Sequence, residues 1–476
     1  MEIGLNKLTI KKTRELLISG KISATDLVKL FLEKIKKDNS DLNVYLEIYD
    51  DVLEQARRAD QDISAGIEKP LLGVPIALKD NILIKGKTVS SGSKMLENYT
   101  GVYDATVVKK LKEAGAIFLG RVNMDEFAMG ASTENSAFGV TKNPFDKTRV
   151  AGGSSGGSAS AVSADLAVFS IGSDTGGSIR QPSAFCGVVG FKPTYGSVSR
   201  HGLMAMGSSL DVIGPITKNV SDAEQVFKII SGKDQYDNTS VDLDRDNSTK
   251  KGKRVANMSD FFASIGNLKS EVIENYQAGL EHLKTLGYEI IKPKTNLSPL
   301  KYSLPAYYII MPAEVSANLA KFDGIRYGFH KEGGDLLSVY KQSKGQGFGK
   351  EVRRRIILGT YVLSSGYYDA FYGKAQNVRH LIRETFTSIL KEVDIIALPI
   401  TPSPAFKIGE KTNNPVELYL EDIFTITANI VGAPAISVPF GKVNIQGVDL
   451  PLGFQLIADI GEDYFLLDVA KEFMGE

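Results

Sequence analysis

The chain has 476 residues, 43% of them hydrophobic and 24% charged, which is typical of a globular protein rather than a disordered or fibrous one. The chain has 56 basic residues (lysine and arginine) and 56 acidic residues (aspartate and glutamate), so its net charge is zero. This charge gives no sign that the chain alone binds a nucleic-acid backbone. One cysteine excludes an intramolecular disulfide, and without an apolar leader or a long apolar run we expect a cytoplasmic protein that does not span a membrane.

Helices are the first elements that the sequence predicts. Apolar residues recur at helical spacing within 22–36, where Ser23 or Thr25 can cap the helix, and a second helix is predicted over 50–65. Residues 1–65 are therefore expected to form a largely helical N-terminal segment.

From residue 71 onward, short apolar strands alternate with predicted helices. The strands are expected at 71–80, 116–123, 167–173 and 187–193, and the helices at 104–115 with Asp104 as N-cap, at 156–166 and from 178 onward. Because this alternation is typical of strands joined by helical crossovers, we predict an α/β fold. Its large mixed, mostly parallel, twisted sheet is expected to be covered by helices on both faces.

Residues 231–254 are polar and rich in turn-forming residues, which predicts an excursion at the surface. The alternation resumes beyond it, with strands expected at 253–258, 288–293, 394–404, 432–441 and 452–459 and helices at 270–286 and 462–474. A boundary between two domains at this excursion remains an alternative, but we favour a single domain over 1–476.

Two glycine–serine turns, GGSSGGS at 152–158 and TGGS at 175–178, each precede a predicted helix. A serine in such a turn is presented beside unpaired backbone N–H groups, which suits attack on a carbonyl and stabilisation of the resulting oxyanion. The first turn also suits a flexible linker or a phosphate-binding loop, although the Walker and dinucleotide-binding patterns are both absent.

The TGGS turn is the better place for a nucleophile. Four backbone N–H groups can converge there at the start of a helix and hold an oxyanion, those of Thr175, Gly176, Gly177 and Ser178. Two flanking residues of opposite charge are expected to pair and hold the turn, Asp174 and Arg180.

A serine nucleophile needs a base, and the histidines give no sign of being one. None lies in a glycine-rich turn or at a spacing from an acidic residue that would indicate a catalytic pair. Packing or surface roles are therefore expected for His201, His282, His330 and His380. Lys79 ends the apolar strand VPIAL, where burial would lower the pKa of its ammonium and free it to accept a proton. The alternative is a surface lysine at a strand end. With one cysteine and no H-x-x-x-H or C-x-x-C spacing, no metal site is predicted.

The segment 152–183 resembles the amidase signature along its whole length, including the fixed glycines, both serines and the flanking charged pair. The resemblance implies a Ser–Ser–Lys triad in which Lys79 is the base, Ser154 the bridge and Ser178 the nucleophile that forms the acyl-enzyme. It also implies a cis peptide bond at the bridging serine and a supporting role for Ser155.

Three further segments are similar to the glutamine-hydrolysing subunit of tRNA-dependent amidotransferases: RVNMDEFAMGASTENSAFG (121–139), NLAKFDGIRYG (318–328) and LSSGYYDAFY (363–372). This resemblance implies that the chain takes ammonia from glutamine for the amidation of Glu-tRNA(Gln), or of Asp-tRNA(Asn). It implies two partner proteins. One is a second subunit that binds tRNA and uses ATP and Mg²⁺, and the other is a small third subunit. The chain itself is expected to need no cofactor and to contact tRNA mainly through its partner.

Free glutamine presents an α-carboxylate, which needs a cation, and an α-ammonium, which needs an anion. Within the resemblance, Arg355 and Asp422 are the expected partners of these groups, and Tyr307 adds a hydrogen bond. The adjacent Arg354 and Tyr308 remain alternatives for these contacts. A solvated helix face for the arginines and a helix cap for the aspartate remain alternative roles.

Three other functions stay open from the sequence. They are a stand-alone amidase acting on small amides, a nucleotide-binding module built on the glycine turns, and a catalytically inactive interaction protein. The presence of Lys79, Ser154 and Ser178 together argues against the last. Cys186 is expected to be a buried structural thiol, and the glycine-rich residues 345–351 are expected to form a loop.

Overall fold

The computed structural model describes residues 4–245, 252–266, 268–412 and 414–476. The strands within these ranges are β1 (Tyr45–Ile48), β2 (Pro75–Lys79), β3 (Ile117–Val122), β4 (Phe169–Asp174), β5 (Val189–Lys192), β6 (Val212–Thr217), β7 (Arg254–Asn257), β8 (Glu289–Ile291), β9 (Ile395–Pro399), β10 (Ala435–Ile445) and β11 (Val448–Ile457). They form one sheet in the order β1-β3-β2-β4-β6-β5-β10-β11-β9-β7-β8.

The described ranges also contain sixteen α-helices. In chain order they are α1 (Ile10–Ile18), α2 (Ala24–Leu42), α3 (Val52–Ser64), α4 (Thr106–Glu113), α5 (Gly156–Ser163), α6 (Arg180–Phe185), α7 (Val220–Ile230), α8 (Ser259–Ile265), α9 (Ser270–Thr285), α10 (Ser303–Asn318), α11 (Leu336–Gly347), α12 (Lys350–Val362), α13 (Lys374–Glu392), α14 (Pro415–Tyr419), α15 (Ile426–Val431) and α16 (Asp463–Met474).

The sheet is mixed, as predicted, but it is not mostly parallel. Among the described strands, β2 pairs in parallel with β3 and β4, and β7 with β8 and β9, whereas the other six pairs are antiparallel. The hairpin of β10 and β11 turns at Gln446 and Gly447, which both have positive φ, the backbone of a tight two-residue turn. An apolar run predicts a strand without its direction, which explains why the expected proportion of parallel pairs is wrong.

Helices cover both faces of the sheet, as predicted. Consecutive residues of β11 point to opposite faces. Gln455 accepts a hydrogen bond at 2.7 Å from Arg180 of α6, whereas the ring of Phe454 stacks on Phe473 of α16 and on Tyr276 of α9. The core of the molecule therefore lies on either side of one sheet.

The N-terminal segment begins with helices, as predicted, but also contains the edge strand β1. Ser23 caps α2, since its hydroxyl accepts a hydrogen bond from the backbone N–H of Asp26 at 3.0 Å. The predicted cap of α4 is wrong. The carboxylate of Asp104 instead accepts from the backbone N–H of Lys85 at 2.8 Å, and the helix begins at Thr106.

The predicted polar excursion at 231–254 includes residues 246–251, which lie outside the described residues. Its last residue, Arg254, begins β7, so strands from both sides of the excursion share one sheet. The single domain over 1–476 stays a prediction.

Helices α10 to α13 occupy a region where the sequence predicts no element. α10 is apolar all round and carries Pro312, and both features hide its helical period. The loop expected at 345–351 is largely helical, because α11 ends at Gly347 and α12 begins at Lys350. No helix in the described part of the chain is long and apolar enough to cross a membrane.

Candidate active site

The site lies at the carboxyl ends of two neighbouring parallel strands, β2 and β4. Lys79, the last residue of β2, is fully buried, and its Nζ lies 2.8 Å from the Oγ of Ser154 and 2.8 Å from the Oγ of Ser155. Ser173 of β4 accepts from the same amine through its carbonyl at 3.3 Å and its hydroxyl at 3.0 Å. The alternative of a surface lysine is therefore wrong.

The environment of Lys79 favours the neutral amine. Burial lowers the pKa of the Lys79 ammonium from its usual 10.5 to about 7, although the charges of Asp125, Asp174 and Asp211 oppose this change. A fall of that size corresponds to ~5 kcal/mol of preference for the neutral form. Near neutral pH, Lys79 can therefore accept a proton from the serine hydroxyl beside it.

The GGSSGGS turn brings its serines to Lys79 through a backbone that admits no side chain at Gly153. The peptide bond between Gly153 and Ser154 is cis, which confirms the bond that the family resemblance implies. A Cβ on Gly153 would lie 2.1 Å from an oxygen of Asp125, a buried carboxylate that also accepts from the backbone N–H of Thr133 at 2.9 Å. The turn is packed within the core, so the linker alternative for this segment is wrong.

Ser178 follows the second glycine turn and is 7% exposed. The two turns are joined by a hydrogen bond of 3.1 Å from the backbone N–H of Ser155 to the carbonyl of Ser178. No hydrogen bond joins the hydroxyls of Ser154 and Ser178 among the described residues. The structure thus brings the predicted base and bridge into contact and places the predicted nucleophile on the adjoining turn.

Asp174 and Arg180 pair across the second turn, as the sequence predicts. Arg180 donates to both oxygens of Asp174, at 3.0 and 3.1 Å, and also to the carbonyl of Thr425 and the side chain of Asn429. Burial raises the pKa of the Asp174 carboxyl, but the charge of Arg180 and its hydrogen bonds outweigh burial and hold the pKa at about 2. A charged carboxylate therefore anchors the turn at neutral pH.

The four N–H groups expected to hold an oxyanion do not all point to one place. The N–H of Gly177 donates to Asp174 at 2.9 Å, so the prediction is wrong for this group. No hydrogen bond from the N–H of Gly176 or Ser178 occurs within the described ranges, and these two, with Thr175, remain the candidate donors. Gly177 has a φ of 142°, and a Cβ there would lie 2.3 Å from the hydroxyl oxygen of Thr425, so only glycine fits.

The three residues expected to bind substrate converge beside this turn. The hydroxyl of Tyr307 lies 2.7 Å from where a Cβ on Gly176 would be. Burial raises the pKa of the Tyr307 hydroxyl, and the nearby charges of Arg355 and Asp422 also influence it. Burial likewise raises the pKa of the Asp422 carboxyl well above its usual range, against the opposing charge of Arg355. The carboxyl of Asp422 accepts from Tyr308 at 3.4 Å. Asp422 ends its short helical segment and Thr425 is the N-cap of α15, so the role of helix cap is wrong for Asp422.

Arg354 and Arg355 have different surroundings. Arg355 is 4% exposed and its guanidinium lies 5.4 Å from the ring centres of Tyr308 and Tyr419, whereas the side chain of Arg354 is 48% exposed. The solvated helix face is therefore wrong for Arg355. Tyr308 stacks on Tyr419 with 4.0 Å between ring centres. The two rings form an aromatic cage around the guanidinium of Arg355.

Glu351 is an important residue that the sequence analysis does not predict. Its Oε1 accepts hydrogen bonds of 2.7 Å from the Nε of Arg355 and from the hydroxyl of Tyr419. Burial raises the pKa of the Glu351 carboxyl, but the charges of Arg355 and Arg354 and the hydrogen bonds from Tyr419 and Arg355 together lower it below its usual value. The spacing of four residues between Glu351 and Arg355 on one helix is the only sequence signal for this pair.

Asn81 and Ser173 are also missed by the sequence analysis. Asn81 donates to the hydroxyl of Ser173 at 2.9 Å and so fixes an acceptor for Lys79. Asn81 lies two residues beyond Lys79, which is the only signal that could have singled it out.

The histidines lie away from the serines, as expected. His201 is stacked between Tyr103 and Tyr236, and the other three contact backbone carbonyls or glutamates. Cys186 is buried, and burial raises the pKa of its thiol to about 12, in keeping with a structural role. Within the described residues no group of three or more His, Cys, Asp or Glu could hold a metal ion.

The sequence matches a known family over most of its length, since the family model described as Amidase covers residues 26–467. The chain belongs to the amidase family. This membership confirms the resemblance found in the sequence and makes the protein an enzyme of that family.

Several relatives of high similarity are components of one kind of enzyme. The chain is 49% identical to the A subunit of the glutamyl-tRNA(Gln) amidotransferase of Thermoanaerobacter pseudethanolicus, and the match covers 98% of this chain and 96% of that protein. The A subunit from Fusobacterium nucleatum is 48% identical with the same coverage. The crystal structure of the A subunit from Thermotoga maritima is 40% identical, with a TM-score of 0.78 over 99% of this chain and 95% of that one. The predicted amidase fold is confirmed.

Proposed function

We propose that this amidase-family chain is the glutamine-hydrolysing A subunit of a tRNA-dependent amidotransferase. It hydrolyses the side-chain amide of free glutamine and supplies the ammonia for amidation of Glu-tRNA(Gln), or of Asp-tRNA(Asn). The observation that carries the proposal is the buried amine of Lys79, 2.8 Å from the hydroxyl of Ser154. The near full-length similarity to the A subunits of glutamyl-tRNA(Gln) amidotransferases supports the choice of substrate.

The proposed reaction passes through an ester on Ser178. Its Oγ attacks the side-chain carbonyl of glutamine, its proton goes to Ser154, and the proton of Ser154 goes to the neutral amine of Lys79. The proton then returns through Ser154 to the leaving nitrogen, the C–N bond breaks and ammonia departs. Water attacks the ester by the same relay and releases glutamate. Catalytic hydrogen bonds are often long in an enzyme without its substrate. We therefore expect the hydroxyls of Ser154 and Ser178 to come within hydrogen-bonding distance of each other when glutamine binds.

A guanidinium and a carboxyl group beside the turn suit the α-carboxylate and the α-ammonium of glutamine. Arg355 is proposed to bind the α-carboxylate and Asp422 the α-ammonium, with Tyr307 donating a further hydrogen bond. Each hydrogen bond to a charged group is worth about 1.5–3 kcal/mol, so simple amides that lack these groups would bind weakly. The α-ammonium would also stabilise the charged form of the Asp422 carboxyl, whose pKa burial raises.

The proposed complex contains two further proteins, a tRNA-binding subunit that uses ATP and Mg²⁺, and a small third subunit. This chain contributes no cofactor of its own, and its zero net charge agrees with tRNA being held mainly by the partner.

The test is ammonia release from glutamine by the purified complex and by the chain alone, with Ser178→Ala as the control. The complex is expected to hydrolyse glutamine, and the variant is expected to bind it without turnover. A chain that purifies without partners and prefers aliphatic or aromatic amides over glutamine would instead be a stand-alone amidase.

A further inference from the structure

A cavity of about 340 Å³ opens between the start of α12 and the segment that leads into α14. Its floor includes Ser132, Glu351 and Tyr419, and its rim carries the cationic side chains of Lys350, Arg354 and Lys411.

The floor of this cavity touches both halves of the candidate active site. The backbone nitrogen of Ser132 lies 2.6 Å from where a Cβ on Gly153 would be, so the floor abuts the turn that carries the bridging serine. Glu351 and Tyr419 hold Arg355 from the other side. Between the cavity and Arg355 therefore stand the carboxylate of Glu351 and the ring of Tyr419.

Two arginines share the carboxylate of Glu351 from opposite sides. Arg355 donates to Oε1 at 2.7 Å from within the buried cage, and Arg354 donates to Oε2 from the cavity. The side chain of Arg354 is 48% exposed, and Glu351, which is 8% exposed, keeps Arg355 and Tyr419 as partners when Arg354 turns to another carboxylate.

The other rim cations differ in how they are paired. Lys411 is engaged by the buried carboxylate of Glu421, whereas no ion pair to Lys350 occurs in the described part of the chain. Glu134 also lines the cavity, and its carboxylate accepts a hydrogen bond from the backbone N–H of Gly409 at 2.7 Å. An entering carboxylate therefore meets Arg354 with the charge of Lys350 in the same lining.

We propose that this cavity is the entrance for glutamine and that Arg354 is an outer binding residue for its α-carboxylate. Arg354 takes the carboxylate from solvent in exchange for Glu351 and passes it to Arg355, one residue further along the helix. This inference rests on the proposed function, since it takes glutamine as the substrate.

The test compares Arg354→Gln with wild type in the assembled complex. We expect kcat/KM for glutamine to fall roughly fivefold with kcat unchanged. Hydrolysis of 4-aminobutanamide, which lacks the α-carboxylate, should be unaffected. In the Ser178→Ala background, stopped-flow fluorescence of a dye attached to the complex, used because this chain has no tryptophan, should show slower association of glutamine and unchanged dissociation. Arg354→Lys, which keeps the charge, should restore most of the association rate.

Arg353→Gln is the matched control, because Arg353 is exposed on the same helix and does not line the cavity. Unchanged kcat/KM in Arg354→Gln would overturn the inference. So would faster dissociation with unchanged association, which would mean that Arg354 only supports Glu351. Loss of tRNA amidation with normal glutamine hydrolysis would overturn it too, since the cavity would then serve ammonia. Absence of glutamine hydrolysis in the wild-type complex would refute the proposed function itself, before any variant is compared.

Discussion

At the scale of single residues, the chemistry depends on the protonation state of Lys79. The amine is enclosed by three serines, and its neutral form can accept a proton from one of them. Within the part of the chain that the structure describes, no carboxylate is hydrogen-bonded to this amine, whereas buried lysines are commonly paired with an acid.

The pH dependence of catalysis follows from the pKa of about 7 for Lys79. Below that pH the amine is protonated and cannot accept the serine proton, and above it the amine is neutral. We expect kcat/KM for glutamine to rise about tenfold per pH unit up to about pH 7 and then to level off. A pH–rate profile over about three pH units around neutrality, from about pH 5.5 to about pH 8.5, measures this rise in kcat/KM. A profile that is flat across that range would contradict the assignment of Lys79 as the base.

The same group makes folding stability depend on pH. In the unfolded chain Lys79 regains its usual pKa, so between about pH 7 and pH 10.5 the folded protein binds fewer protons than the unfolded chain. The free energy of unfolding therefore rises with pH in this window and loses that contribution as pH falls toward 7. Relative to Lys79→Met, wild type should gain about 2–3 kcal/mol between pH 7 and pH 9. Denaturant unfolding of both proteins at the two pH values measures the difference, and parallel pH curves would contradict it.

Arg355 is expected to act on substrate binding rather than on the chemical step. Arg355→Gln leaves the carboxylate of Glu351 without its inner partner and removes the proposed contact with the α-carboxylate. The loss of a charged hydrogen bond, about 1.5–3 kcal/mol, predicts a KM for glutamine raised about 10- to 150-fold. Steady-state kinetics with glutamine and with 4-aminobutanamide test this, with Arg353→Gln as control. An equal effect on both substrates would speak against carboxylate binding.

At the scale of elements, the site is assembled from strand ends and glycine turns. β2 supplies the lysine, β4 the carbonyl and hydroxyl that cradle it, and the turns before α5 and α6 supply the serines. Glycine is required at two points where side chains of other segments pack against the backbone, Gly153 beside Asp125 and Gly177 beside Thr425. The catalytic turns are thus fixed by contacts with distant parts of the chain.

The pair of Asp174 and Arg180 is expected to be the main stabilising link between the second turn and α15. Arg180→Met would leave a buried carboxylate whose remaining partners are Asn429 and backbone N–H groups, a loss of about 3–5 kcal/mol in the free energy of unfolding. Arg58→Gln removes an arginine from an exposed pair with Glu54 and should cost less than about 1 kcal/mol. Thermal unfolding of the two variants compares them directly. Equal losses would contradict the importance of the buried pair.

At the scale of the whole molecule, one mixed sheet brings together residues far apart in the chain. Lys79 comes from β2 and Ser154 from the turn before α5, while Arg355 comes from α12 and Asp422 from the short helical segment that follows α14. Residues from the first and last thirds of the sequence therefore meet at the second glycine turn.

The sequence predicts the local parts of this arrangement well. The strand that ends at Lys79 and the two serine turns have strong local signals, namely apolar runs and glycine spacing. The direction of the strands has no such signal, because it depends on how distant segments connect. Glu351 is missed for a similar reason. Its importance arises from Tyr419, which only tertiary packing brings to it.

The most direct test of the central claim is acid quenching of the complex during glutamine hydrolysis, followed by mass spectrometry of its peptides. We predict a γ-glutamyl ester on the peptide that contains Ser178, absent from Ser178→Ala and from Lys79→Met. Normal ammonia release by Ser178→Ala, or a γ-glutamyl group attached to a residue other than Ser178, would contradict the account.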